Sequence, residues 1–206
     1  MRRFDTALRA EVSANLAAFD RRCAQLDERK AAGVAIALLP DEEGRACFVL
    51  TRRTARVGSH KGQWALPGGR REREETSEQA AVRELEEEVG IAAGQVTVLG
   101  VLDDYATRSG YVITPVVVWC EATVRLEADP REVAAAYRVA VSHLEGPDLP
   151  HLREIPESDR PVISLPLLDT HIHAPTAAVL YQFREVALLG RATRVDHFEE
   201  PVFAWR

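Results

Sequence analysis

Residues 110–122 read GYVITPVVVWCEA, a β-branched stretch too uniformly apolar to face water on both sides. Such a strand belongs inside a sheet covered by other elements, so the rest of the chain must supply neighbouring strands and covering helices. GVAIALLP (33–40) and ACFVLTRR (46–53), separated by the turn signal Asp41-Glu42-Glu43-Gly44, read as a hairpin whose second strand ends in a basic cluster. QVTVLGVLDDY (95–105) and EVAAAYRVAV (132–141) read as further strands. Phe4, Leu8, Val12, Leu16 and Phe19 recur at spacings of three and four, which predicts an amphipathic helix over 4–30 behind an Asp5 cap. Pro175 predicts the opening of a last helix running to about Leu189. The expected class is therefore α/β (α+β): a mixed β-sheet sandwiched between helices, with N-terminal and C-terminal helices added. Residues 1–32 are expected to form a helical extension and 33–206 the main domain. The stretch 142–174, with prolines at 147, 150, 156, 161 and 166, is expected to be a long surface excursion near a site.

Composition narrows the function. A formal charge of -6 over 206 residues argues against a protein that coats nucleic acid or an anionic membrane surface. Three scattered cysteines (Cys23, Cys47, Cys120) make neither a disulfide framework nor a Cys-ligated zinc site, so a reducing, cytoplasmic setting is expected. The apolar runs are strand-length, and the N-terminus has no apolar h-region, so neither a membrane span nor a secretory signal is expected.

The richest segment is LPGGRREREETSEQAAVRELEEEVGI, residues 66–91. Thr76 with Gln79 three residues on is a capping box, and Gly90 suits the left-handed residue that ends a helix. On the wheel of that helix Glu84, Glu87 and Glu88 fall within about a third of the circumference, while Val82, Leu85 and Val89 take another sector. Like charges at these spacings repel unless a cation compensates them. Hard carboxylate oxygens suit Mg²⁺, which binds a few carboxylates together with a substrate's phosphates. A glutamate run taken alone reads as a solvated helix face; the surrounding spacing decides otherwise.

From Gly69 five residues lead to Glu75, seven more to Arg83-Glu84-Leu85, one to Glu87-Glu88, and one to Gly90-Ile91. This pattern resembles the signature of the Nudix hydrolases, and every fixed position of it is filled. The resemblance implies a Nudix fold that holds Mg²⁺, or alternatively Mn²⁺, and hydrolyses a nucleoside diphosphate linked to another moiety. It implies Glu84 and Glu88 as metal ligands, Glu87 as a further ligand or water activator, the carbonyl of Gly69 completing the site, and Arg83 with Glu75 as an orienting pair. In some family members the base lies on a loop outside the motif, for which Glu145, Glu154 and Glu157 are candidates.

Ahead of this motif, LTRRTARVGSHKGQWALPGG (50–69) places Arg52, Arg53, Arg56 and Lys61 beside an acidic centre, as a polyanionic phosphate ester would require. The stretch resembles that of the coenzyme A diphosphatases in Leu50, Thr51, Arg53, His60, Gly62, Gln63, Pro67, Gly68 and Gly69. It departs at Thr54, where Ser or Ala is usual, at Leu66 in place of Phe, and at Gly58 in place of an arginine. YVITPVVVW (111–119) and ADPREVAAAYRVAVSHL (128–144), with its Pro-x-Glu-Val-Ala segment, resemble the same subfamily. This implies CoA or acyl-CoA as a small-molecule nucleotide-type substrate, cleaved to 3′,5′-ADP and 4′-phosphopantetheine, with Arg52, Arg53, His60 and Gln63 near it. ADP-ribose, a dinucleotide or an oxidised nucleotide are alternative substrates, and a non-catalytic nucleotide sensor is the alternative from another class. Trp64 and Cys120 read first as core residues, and His171 and His173 as surface histidines sharing a strand face. The N-terminal helix is a candidate homodimer surface, or equally a cap on its own sheet.

Overall fold

The computed structural model describes residues 1–54 and 62–205. In chain order its elements are α1 (Thr6–Ala18), β1 (Lys30–Pro40), β2 (Ala46–Arg53), β3 (Trp64–Ala65), β4 (Gly68–Arg70), α2 (Ser77–Val89), β5 (Val96–Val101), β6 (Tyr105–Ala106), β7 (Tyr111–Cys120), β8 (Val133–Ala140), β9 (His151–Ile155), β10 (Ser158–Leu167), β11 (Thr170–His173) and α3 (Thr176–Phe183). Among the described residues β3-β2-β1-β7-β5 run side by side, with β4 on β1, β6 on β7 and β8 on β2. The sheet is mixed because β1 and β7 are parallel, from Lys30 opposite Tyr111 to Leu38 opposite Trp119, while the other pairings are antiparallel. The apolar run at 110–122 holds β7, flanked by strands on both edges and buried from Thr114 to Cys120.

Alternation along β1 explains why both faces must be covered. Ala35, Ala37 and Leu39 pack with Ala81, Leu85 and Val89 of α2. Ile36 and Leu38 pack on the other face with Leu8, Val12 and Leu16 of α1 and Ala177, Leu180 and Phe183 of α3. A sheet between helices is therefore what the chain forms, and α1 buries its stripe in the same core as α3. Among the described residues no helix is long and apolar enough to cross a membrane.

Two expectations need correction. The helix expected over 4–30 begins as read, with Asp5 accepting the Leu8 N–H at 2.9 Å, but ends at Ala18. Beyond Phe19 the apolar spacing stops, and carboxylates elsewhere take the backbone donors: Arg22 N–H bonds Asp103 at 2.7 Å and Ala24 N–H bonds Asp104 at 3.0 Å. Residues 142–174 are not a mere excursion, because β9, β10 and β11 pair there as a separate antiparallel sheet. Its middle strand buries Ile163, Leu165 and Leu167 in the core shared by α1 and α3. Prolines masked this strand, yet Pro161 sits where the β9–β10 register shifts, a place that tolerates a missing N–H.

Candidate active site

Helix α2 starts and stops as its sequence predicts. Thr76 and Gln79 form the reciprocal capping box, and Gly90 ends the helix with φ 73°. Its buried stripe is Ala81, Leu85 and Val89, and the position of each glutamate follows from its angle to that stripe. At about 100° per residue, Glu88 lies roughly 20° from Ala81, Glu84 roughly 60° and Glu87 roughly 120°. Glu88 is accordingly 3% exposed, Glu84 half-buried and Glu87 solvent-exposed.

The structure brings Glu84 and Glu88 together with Glu132, each offering an oxygen within 4.8 Å of the others. Glu87 is not in this group. Its carboxylate instead accepts Arg83 Nη1–H at 2.8 Å. Glu132 arrives through sheet register: Val133 pairs with Arg53, the Thr54 N–H donates to the Glu132 carbonyl at 3.2 Å, and the Asp129 N–H bonds the Glu88 carbonyl at 3.0 Å. The sequence reading missed it as a site residue, although it is the Glu of the Pro-x-Glu-Val-Ala segment. Glu145, offered as an outside base, instead accepts from Arg2 at 2.8 Å, and Glu154 and Glu157 are exposed on the β9–β10 hairpin.

Burial raises both core carboxyls above the usual range. Glu88 is pushed up to about 8 by desolvation, with Glu84 and Glu132 adding to the rise and Arg53 and the Gly68 N–H opposing it. Desolvation likewise raises Glu84, against the pull of Arg83. Arg53 reaches Glu88 Oε1 only at 3.9 Å, and Glu88 Oε2 is buried with no hydrogen-bond partner among the described residues. A buried carboxylate oxygen left without a donor calls for a cation.

Gly69 fits the same picture. It pairs with Gly33 across β4 and β1, and a Cβ added there would stand 2.2 Å from Glu84 Oε1. The backbone of β4 therefore lies directly against the acidic cluster. These residues fit a divalent cation: three convergent carboxylates, an orphaned buried oxygen, and a main chain bare of side chain. Gly69→Ala should displace the Glu84 carboxylate and lower metal-dependent turnover by about 10-fold or more, with circular dichroism unchanged. Wild-type turnover in that variant would remove the close approach from the mechanism.

Arg83 is the bracket that holds this acidic face. Its Nε–H donates to Glu75 at 3.0 Å, Nη1–H to Glu84 at 2.9 Å and Nη2–H to the Arg70 carbonyl at 3.1 Å. Glu75 in turn accepts the Glu72 N–H at 2.9 Å, and the Arg83 guanidinium holds its carboxyl below the usual range.

The carboxylates open into a cavity of about 1230 Å³. Arg52, Arg53 and Gln63 line it beside them, so the basic strand end and the acidic helix do share one site. His60 and Gly58 lie outside the described residues. Trp64 also lines the wall, its ring meeting Tyr137 edge-on at 5.1 Å. Cys120 is buried and its thiol pushed up to about 12, as suits an inert core residue. The far wall comes from β11, within the 142–174 stretch expected near a site, and from the turn after β6 and residues of the 200–205 segment, which the sequence reading had not joined to it.

The model of the NUDIX domain matches residues 29–164, which includes β1, α2 and Glu132. The chain belongs to the NUDIX family. It is 42% identical over 96 residues to the protein named Uncharacterized Nudix hydrolase NudL of Photorhabdus laumondii, covering 46% of this chain and 51% of that protein. To the protein of the same name from Pectobacterium atrosepticum it is 40% identical over 93 residues, covering 45% and 48%. The aligned part thus spans about half the length of these curated relatives. Among solved structures it is similar to a Nudix hydrolase from M. smegmatis, RenU, at TM-score 0.56 and 26% identity, covering 78% of this chain and 87% of that one.

Proposed function

We propose that this NUDIX chain hydrolyses the diphosphate of a nucleoside diphosphate linked to another moiety, with CoA or acyl-CoA as the preferred substrate. The observation that carries the hydrolase reading is the meeting of buried Glu88 with Glu84 and Glu132 against the Gly69 backbone, where one Glu88 oxygen has no hydrogen-bond partner among the described residues. Those carboxylates and the Gly69 carbonyl would hold Mg²⁺ or Mn²⁺. A divalent cation there supplies charge neutralisation and a bound water of lowered pKa. Arg52 and Arg53 bind the phosphate oxygens, Arg53 exchanging its loose 3.9 Å contact with Glu88 for a substrate oxygen. Arg83 keeps Glu84 aimed at the cluster, and Glu132, on a separate segment, is placed to take the proton of the attacking water. Glu87 acts through Arg83 and, at greater distance, on the charge of the site.

The CoA assignment rests on the sequence of the cavity's basic edge, from Leu50 to Gly69, and on the Pro-x-Glu-Val-Ala segment that delivers Glu132. Mass-spectrometric identification of products from CoA, ADP-ribose, NADH and 8-oxo-dGTP, each with Mg²⁺ or with chelator, tests it. The expected result is 3′,5′-ADP and 4′-phosphopantetheine from CoA at the highest rate, abolished by chelation. A faster reaction with another compound would overturn the CoA assignment, and no turnover of any would overturn the hydrolase.

A further inference from the structure

The cavity's far wall, where Glu200, Phe203, Ala204 and Trp205 stand near the turn Thr107–Tyr111, has features that diphosphate cleavage leaves unused. Glu200 is 2% exposed and lines the cavity. One of its carboxylate oxygens accepts the Arg108 backbone N–H at 2.8 Å, and the other receives no hydrogen bond among the described residues. Its neighbour Glu199 differs, being held by Arg108 at 2.6 Å, Ser158 at 2.9 Å and the Glu200 N–H at 3.0 Å. Three residues on, Phe203 also lines the cavity and is 62% exposed as a residue, its ring braced edge-on by His173 at 5.5 Å. The indole of Trp205 is by contrast already covered by the Arg108 guanidinium at 4.8 Å.

A bare aromatic ring asks for a flat partner, and a buried carboxylate with an open oxygen asks for an N–H or O–H donor. The ligand that meets both demands at once is a flat heterocycle carrying an amino group. Its place relative to the carboxylates follows from the sheet. β4, beside Glu84, and β7, beside the Thr107–Tyr111 turn, flank β1, which separates them by roughly 10 Å. A ring joined through a sugar to a diphosphate has room to bridge that span.

We infer that Glu200 and Phe203 form the subsite for the substrate's nucleobase, and that the base taken is an amino-bearing purine. Phe203 stacks on the ring and Glu200 accepts from its amino group. The placement of the diphosphate rests on the hydrolase reading above, but the subsite itself is testable without metal or turnover. Adenosine and purine riboside share ring and sugar, lack phosphate, and differ in the amino group. Their binding to the metal-free protein is read by ligand-observed NMR titration in wild type, Glu200→Gln and Phe203→Ala. The expected result is adenosine bound at least 10-fold more tightly than purine riboside, the difference shrinking below about 3-fold in Glu200→Gln. Phe203→Ala, at an exposed ring that the fold does not need, should weaken both ligands by about 10-fold. Equal binding of the two nucleosides by wild type, no binding of adenosine, or wild-type affinities in Phe203→Ala would overturn the subsite. A protein that hydrolyses nothing yet shows the expected pattern would keep the subsite and lose only the hydrolase.

Discussion

Glu88→Gln is expected to lower kcat for diphosphate cleavage by about 10³-fold or more while making the metal-free protein more stable. The two effects share one cause. Glu88 is buried, close to Glu84 and Glu132, with Arg53 at 3.9 Å as an offsetting cation and one oxygen without a partner among the described residues. Without metal this is an expensive carboxylate, and a neutral amide of nearly the same shape relieves about 1–3 kcal/mol. With metal the same charge is the ligand, and its removal takes away the cation's anchor. Thermal unfolding in chelator should therefore give a higher Tm for the variant, and saturating Mn²⁺ should raise the wild-type Tm but not the variant's. The pH dependence has a definite sign. In the metal-free fold the carboxyl is raised from 4.5 to about 8, so its stabilising contribution is complete below about 4.5 and lost as pH rises through about 8. The chelated wild type should lose Tm across that window more steeply than Glu88→Gln. A variant that keeps activity, or whose Tm falls in chelator, would contradict the assigned metal site.

Glu132→Gln should cost about 10²-fold in kcat, more than Glu87→Gln, although Glu87 lies within the sequence motif and Glu132 outside it. The reason is position. Glu132 shares the cluster with Glu84 and Glu88, whereas Glu87 lies roughly 120° from the buried stripe and is tied to Arg83 at 2.8 Å. Steady-state kinetics with the preferred substrate, at saturating metal and across pH, check the order. A larger loss in Glu87→Gln than in Glu132→Gln would return the water-activating role to the helix.

What could be read in advance was whatever depends on local pattern. The capping box at Thr76, the left-handed Gly90, the apolar β7 and the helix phase of Glu84 and Glu88 all depend on neighbours within a few residues. The glutamate wheel puts Glu84, Glu87 and Glu88 on one face but does not rank their burial, which depends on the sector the sheet covers, and Glu87 falls outside the cluster. Glu132 was hidden for a different reason: it enters the site through the pairing of Arg53 with Val133, a register that no local spacing encodes. The β9–β11 sheet was obscured by prolines, which mark turns until a register shift shows how a strand accommodates one. Glu200 is tied to the cavity wall by the Arg108 N–H, 92 positions away along the chain, a contact that no local spacing encodes.

The acidic cluster draws its carboxylates from two separate stretches, α2 and the approach to β8, and is positioned where Gly33 meets Gly69 and where Arg53 meets Val133. Contacts so distant along the chain are expected to close late in folding, because each requires a large loop to be ordered first. A cation that recognises only the finished cluster therefore has little to bind in the transition state. Its effect is expected to fall on the exit from the native basin: a bound cation would lengthen the lifetime of the folded protein without hastening its formation, acting as a kinetic clamp.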